Sequence, residues 1–300
     1  MTNFKVWISS FRLRTLPLSI SGIILGSALA YSNQFFNTTI FVFALLTTIS
    51  LQILSNLAND YGDGIKGTDN NNRIGPERAI QSGLISPIQM KYAIITNVLI
   101  LIVLITTLLY FSFGTNEYLN LLTFFTLGII SIYSAIKYTV GNKAYGYYAL
   151  GDLFVLLFFG FLSVMGSYYL YAKNLEINII LPSFSIGLLS VAVINLNNMR
   201  DLVSDKLSNK ITVAGKLGFA NSKKYHFLIL ISSIVFSLLF ILFFYYKPLS
   251  LIVIISYIPI VLHLKKVYTI TKPVEYNDEL KKVAISTFLF SVIHSLIIII

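Results

Sequence analysis

The sequence predicts an all-α integral membrane protein, a bundle of about nine transmembrane helices forming one polytopic domain over residues 1–300. Three observations lead there: the composition, a series of long apolar runs, and the placement of Lys and Arg between those runs. Of 300 residues, 56% are hydrophobic and 11% charged, with a mean hydropathy of +0.79. A soluble domain carries about a quarter charged residues, so too few are present to cover a water-facing surface. Cys is absent, which excludes disulfides, thiolate metal sites and a cysteine nucleophile.

A helix needs about 20 apolar residues to cross a hydrocarbon layer of ~30 Å. The first such run, 15–32, follows the basic residues Lys5, Arg12 and Arg14, shows no small-residue cleavage site, and reads as a retained anchor. Its Gly22 and Gly26 form a pair suited to close helix packing. Runs at 38–58 and 91–112 come next, separated by turn signals at Gly75-Pro76 and Ser86-Pro87, with Pro87 placed to start a helix. Then follow 118–137, 150–171 (thinned by Gly160 and Gly166), 178–197, 225–246, 248–266 (closed by Lys265 and Lys266) and 283–300. The runs are continuous rather than alternating, which favours helices over barrel strands.

With the N-terminus cytoplasmic, 20 of the 22 Lys and Arg residues fall on the cytoplasmic side, and only Lys173 and Lys247 fall outside. The positive-inside rule therefore orients the chain in the inner (cytoplasmic) membrane. Most of the net charge of +10 is accounted for by topology.

The acidic residues carry more chemistry. Six of the twelve lie in two cytoplasmic stretches, NLANDYGDGIKGTDNNNRIGPER after the second run and NLNNMRDLVSDKLSNKITVAGKLG after the sixth. If the second helix continues past Asn59, then Asn56, Asp60 and Asp63 share one face at i, i+4 and i+7. Asn197, Asp201 and Asp205 stack in the same way at i, i+4 and i+8. Stacked carboxylates repel and need a positive partner. Mg²⁺ suits them, since it is held by one or two carboxylates together with substrate phosphate oxygens. Lys66, Arg78, Arg200, Lys206 and Lys210 lie among them and can grip a diphosphate. Loop charges and helix-end salt bridges are the ordinary explanation for one such motif, but two on one membrane face point to a Mg-bound diphosphate. A diphosphate whose remainder belongs in lipid is an isoprenoid diphosphate.

The chain resembles the UbiA superfamily of membrane prenyltransferases, through RLRTLPLSISGIILGS (12–27), NDYGDGIKGTD with GPER (59–78), GDLFVLLFFG (151–160), GSYY (166–169) and NNMRDLVSDKLSNKITVAGKLG (197–218). Within it the chain is most similar to the 1,4-dihydroxy-2-naphthoate polyprenyltransferase branch. The resemblance covers residues 5–220, and hydropathy alone carries it further. It implies a Mg²⁺-dependent transfer of a polyprenyl chain from polyprenyl diphosphate to 1,4-dihydroxy-2-naphthoate with release of diphosphate and CO₂, in menaquinone biosynthesis. The partners it implies are those two substrates and the lipid bilayer, with no nucleic acid.

Carried over by residue, the resemblance implies that Asn56, Asp60 and Asp63 hold one Mg²⁺ and that Asp201 and Asp205 hold a second, the four aspartates being catalytic. Asp69 assists. Lys66, Arg78, Arg200 and Lys210 contact diphosphate, and Asn198, Asp152 and Tyr138 lie toward the acceptor. Asp152 stands where many relatives have Glu, and Asn209-Lys210 where they often have Gly-Lys. Tyr61, Tyr133, Tyr138 and Tyr145 are candidates for facing the allylic cation. His226, His263 and His294 fit no zinc spacing and read as structural or interfacial. The Asn70–Asn72 string reads as a mobile loop or a solvated linker. Other acceptors such as 4-hydroxybenzoate remain alternatives, as do a transporter and an isoprenoid-binding protein.

Overall fold

A computed structural model describes residues 4–69 and 74–300; Asn70–Asn72 and Arg73 lie outside the described residues. Among the described residues nine helices are long and apolar enough to cross a membrane, and no strand forms beyond one isolated bridge. The spans are Phe4–Ser32, Thr38–Ile65, Pro87–Phe113, Tyr118–Lys137, Gly151–Ala172, Ile177–Arg200, Val213–Phe244, Pro248–Thr269 and Pro273–Ile299.

Several spans run further than their apolar runs. The second continues to Ile65 rather than stopping at 58, the seventh starts at Val213 rather than 225, and the ninth starts at Pro273 rather than 283. Hydropathy marks only what lies in hydrocarbon, whereas caps and tertiary contacts extend the helix beyond it. Thr212 caps the seventh span by accepting from the Gly215 N–H, and Gly218 (φ 73°) then kinks it. Ser86 and Gln89 form a capping box with Pro87 at the first turn of the third span. Asn37 caps the second.

The first span is broken. A short helix, Phe4–Phe11, ends at Arg12 in the left-handed region (φ 50°), and the apolar helix restarts at Leu16. In the fifth span the backbone adopts a π-helix over Leu156–Gly166. Such wide turns are rare and accumulate at functional sites. Small residues bring this span close to its neighbours: a Cβ on Gly160 would sit 2.7 Å from the Ser183 carbonyl oxygen and 2.8 Å from Gly187 Cα. Likewise a Cβ on Gly22 or Gly26 would collide with Ser163 or Ser167. The first span thus packs on the fifth and ninth, the second on the third, and the sixth on the fifth and seventh. This arrangement leaves a cavity between them that ends at the Asp-bearing face.

Candidate functional site

The second span carries the first aspartate motif past the apolar layer. Its end is fixed by close packing, because a Cβ on Gly62 would come within 2.8 Å of Thr139, whose Oγ1 donates to the Ala58 carbonyl at 2.9 Å. The chain turns at Gly67 (φ 69°), an angle that glycine adopts without strain. Asp60 accepts from the Ala79 and Ile80 N–H groups at 3.2 and 3.3 Å. Asp63 accepts from Arg78 Nη1 and from the Tyr147 hydroxyl, both at 2.8 Å. Arg78 also reaches Asp69 and the Asn59 carbonyl, each at 2.8 Å.

The second motif forms where the sixth span ends. The helix stops at Arg200 and resumes as the short helix Leu202–Leu207. Arg200 Nε donates to Asp201 Oδ1 at 2.8 Å and Nη2 to Oδ2 at 2.5 Å, and the guanidinium also takes Asn197 and Asn277. Lys210 pairs with Asp205 at 3.3 Å. Asn209 adopts φ 53°, so the turn before Lys210 survives without glycine because Asn tolerates the left-handed region.

Burial and charge act in opposite directions here. Burial pushes the Asp205 carboxyl up to about 6, with Lys210 opposing and Asp201 adding to the rise. Burial alone would lower Arg78 and Lys210, but the Asp63 charge, with Asp69 at Arg78 and Asp205 at Lys210, outweighs it and raises both. Both therefore stay cationic. Burial pushes the Tyr138 hydroxyl up to about 12, keeping it a neutral donor.

The two halves meet at Tyr147, which sequence reasoning missed. Its hydroxyl joins Asp63 and Thr68, and Lys66 Nζ lies 4.0 Å from its ring centre. Backbone bonds from Ala149 N–H to the Ile211 carbonyl and from Ile211 N–H to the Tyr147 carbonyl tie its loop to the one that carries Lys210. The only sequence signal was an aromatic cluster in a short loop. Tyr147→Phe removes the hydroxyl's bonds to Asp63 and Thr68 and keeps the ring; the lost bond to the carboxylate, at about 1.4 kcal/mol, is expected to lower kcat/KM for prenyl transfer about tenfold, and an unchanged value would dismiss the role.

A cavity of about 890 Å³ opens at this site. Asp60, Asp63, Arg78, Arg200 and Lys210 line its mouth, while Ala44, Leu109 and Leu170 line its depth. Tyr138, Tyr145, Phe154 and Phe158 form an aromatic strip on its wall, with Tyr145 and Phe154 stacked at 4.1 Å. Of the other tyrosine candidates, Tyr133 is exposed and Tyr61 packs against the core.

The remaining sequence candidates sit differently. The Asn56 amide donates to the Phe11 carbonyl at 2.9 Å and to Thr15, latching the N-terminal segment, while Asn59 lines the cavity. Asp152 is buried and accepts from the Tyr225 hydroxyl at 3.0 Å. Among the described residues, buried Asn198 Oδ1 and Asp205 Oδ2 have no hydrogen-bond partner. Such oxygens are hard donors of the kind a divalent cation takes. Among the described residues no three Asp, Glu or His side chains converge into a preformed metal cluster.

The model of the UbiA prenyltransferase family matches residues 19–292. The chain belongs to that family. It is 46% identical over 239 residues to the 1,4-dihydroxy-2-naphthoate octaprenyltransferase of Escherichia coli, covering 80% of this chain and 77% of that protein. It is 45% identical over 228 residues to the protein of the same name in Haemophilus influenzae, covering 75% and 73%. Human UbiA prenyltransferase domain-containing protein 1 is 28% identical over 235 residues, covering 78% and 67%. A solved structure of a digeranylgeranylglyceryl phosphate synthase covers 100% of this chain and 99% of its own, with a TM-score of 0.62 at 19% identity, and shares the fold. Membership makes the chain a multi-pass membrane prenyltransferase.

Proposed function

We propose that the chain transfers a polyprenyl group from polyprenyl diphosphate to 1,4-dihydroxy-2-naphthoate, releasing diphosphate and CO₂, in menaquinone synthesis. One observation carries the reading: a mouth of buried Asp, Arg and Lys opens onto an apolar cavity, matching a ligand that is diphosphate at one end and hydrocarbon at the other. The acceptor rests on the two bacterial relatives named for it. The placement of 20 of 22 basic residues supports a cytoplasmic site in the inner membrane.

In this reading Asp60, Asp63, Asp201 and Asp205 would hold Mg²⁺, and the oxygens of Asp205 and Asn198 that have no hydrogen-bond partner among the described residues would be further donors. Bound there, Mg²⁺ would supply positive charge to stabilise the leaving diphosphate. Arg78, Arg200 and Lys210 take its oxygens and are set in place before charge develops. As the C1–O bond breaks, its electron pair leaves with diphosphate. The wall of Tyr138, Tyr145, Phe154 and Phe158 presents π-faces to the allylic cation and excludes water. The electron-rich ring then bonds to C1 and sheds its carboxylate as CO₂, restoring aromaticity.

The test is prenylation in membranes with Mg²⁺, a polyprenyl diphosphate and either 1,4-dihydroxy-2-naphthoate or 4-hydroxybenzoate, read by mass spectrometry. Naphthoate product is expected, and Asp60→Ala or Asp201→Ala is expected to reduce it at least about a hundredfold. Product from 4-hydroxybenzoate alone would move the acceptor assignment. No product from either acceptor at any chain length would end the catalytic reading.

A further inference from the structure

Away from the cavity the bundle holds a second polar assembly. His226 of the seventh span, His263 of the eighth and Glu279 of the ninth are 0%, 3% and 1% exposed, and Asn195 of the sixth is fully buried. None of the four lines the cavity. They are linked in series: Asn195 Nδ2 to His226 Nδ1 at 3.4 Å, His226 Nε2 to His263 Nε2 at 2.8 Å, and His263 Nδ1 to Glu279 Oε2 at 2.5 Å. Lys282 closes the far end on Glu279 Oε1 at 2.6 Å.

The direction of this chain follows from its first member. Asn195 Nδ2 also contacts the Ser222 carbonyl, which only accepts, so this amide nitrogen is a donor. His226 Nδ1 therefore accepts and its proton sits on Nε2. His263 Nε2 must then accept, leaving its proton on Nδ1 to be donated to the Glu279 carboxylate. Both imidazoles are held neutral, each in one tautomer.

The series returns to the second aspartate motif. Two residues before Glu279, Asn277 Oδ1 accepts from Arg200 Nη1 at 2.9 Å, and the same guanidinium grips both oxygens of Asp201. Asn195 and Arg200 stand on one helix, so the contacts close a ring through the sixth, seventh, eighth and ninth spans. Buried polar groups are costly between spans, and apolar packing would hold helices together as well. What apolar packing does not supply is a defined register of the ninth span, hence of Asn277, against Arg200.

We propose that His226, His263 and Glu279 are positioning residues that set Asp201 through Asn277 and Arg200, and so fix the second aspartate motif for the Mg-bound diphosphate. This rests on the function proposed above. The test measures binding of geranyl diphosphate with Mg²⁺ to the full-length protein in nanodiscs, without acceptor, alongside steady-state prenylation and thermal unfolding. Glu279→Gln and the half-buried Asn277→Ala are each expected to raise the Kd at least tenfold. The KM for naphthoate should stay within twofold and Tm within a few degrees, and Glu279→Asp, which keeps the anion, should restore the Kd to within threefold.

A wild-type Kd in Glu279→Gln, with or without a fall in Tm and whatever Asn277→Ala does, overturns the proposal and leaves the network merely structural. If Glu279→Gln does not fold, His263→Gln, which breaks the same series one link earlier, is expected to raise the Kd at least tenfold and decides instead. Failure of the wild-type protein to bind the diphosphate would instead bring down the functional reading, and this inference with it.

Discussion

Asp63→Ala is expected to abolish measurable prenyl transfer and to destabilise the protein, whereas Asp63→Asn is expected to abolish transfer with a smaller loss of stability. Asp63 is 2% exposed and accepts from Arg78 and Tyr147, with Lys210 also close enough to feel its charge. Truncation leaves Arg78 with Asp69 and Lys210 with Asp205 as their remaining carboxylate partners. Removing one member of a buried charge set costs about 3–5 kcal/mol, because the other charges stay buried. Asn keeps an acceptor for Arg78 and Tyr147 but lacks the anion that the proposed Mg-bound diphosphate would require. Initial rates should fall at least about a thousandfold in both variants, and thermal unfolding should separate them. Retained turnover in Asp63→Asn would remove Asp63 from the chemistry.

Gly160→Leu is expected to prevent accumulation of folded protein. The atoms a side chain would meet at Gly160 are backbone, the Ser183 carbonyl and Gly187, so no rotamer change relieves the clash. The fifth and sixth spans would have to separate, at a cost above the ~1–3 kcal/mol typical of overpacking. Gly67→Ala is the contrasting case: among the described residues a Cβ there meets nothing within 4 Å, and φ 69° alone costs about 1 kcal/mol. Membrane yield and Tm of the two variants check this. A Gly160→Leu protein with wild-type Tm would mean the spans do not cross this closely.

The spans were legible because twenty-residue apolar runs have no other solvent; the two aspartate motifs stand out in the sequence because stacked carboxylates at a membrane interface need compensation, but of the four aspartates only Asp60 and Asp63 line the cavity. The ends of the seventh and ninth spans were not legible, since polar residues after Val213 and after Pro273 continue helices through caps and contacts that hydropathy ignores. The π-helix was hidden too, because a change in hydrogen-bond register leaves no compositional mark. Tyr147 escaped because its importance lies in bringing together Asp63, Thr68 and Lys66 with the loop of Ile211, which are far apart in sequence. The three histidines lacked a zinc spacing, and spacing could not show that two of them pair across helices.

The pairing of Arg78 with Asp63 and Asp69, Arg200 with Asp201, and Lys210 with Asp205 has a kinetic consequence. As a set these internal pairs are close to neutral, so the attraction that draws an anion toward the mouth from a distance comes from the surplus of Lys and Arg around it, with Arg14 and Lys281 in the cavity lining. Occupation is then an exchange of partners: each oxygen of the incoming anion that takes a guanidinium or ammonium releases a carboxylate oxygen. The association rate should accordingly fall as ionic strength rises, while the exchange of partners within the mouth, made at contact distance, should depend on it little.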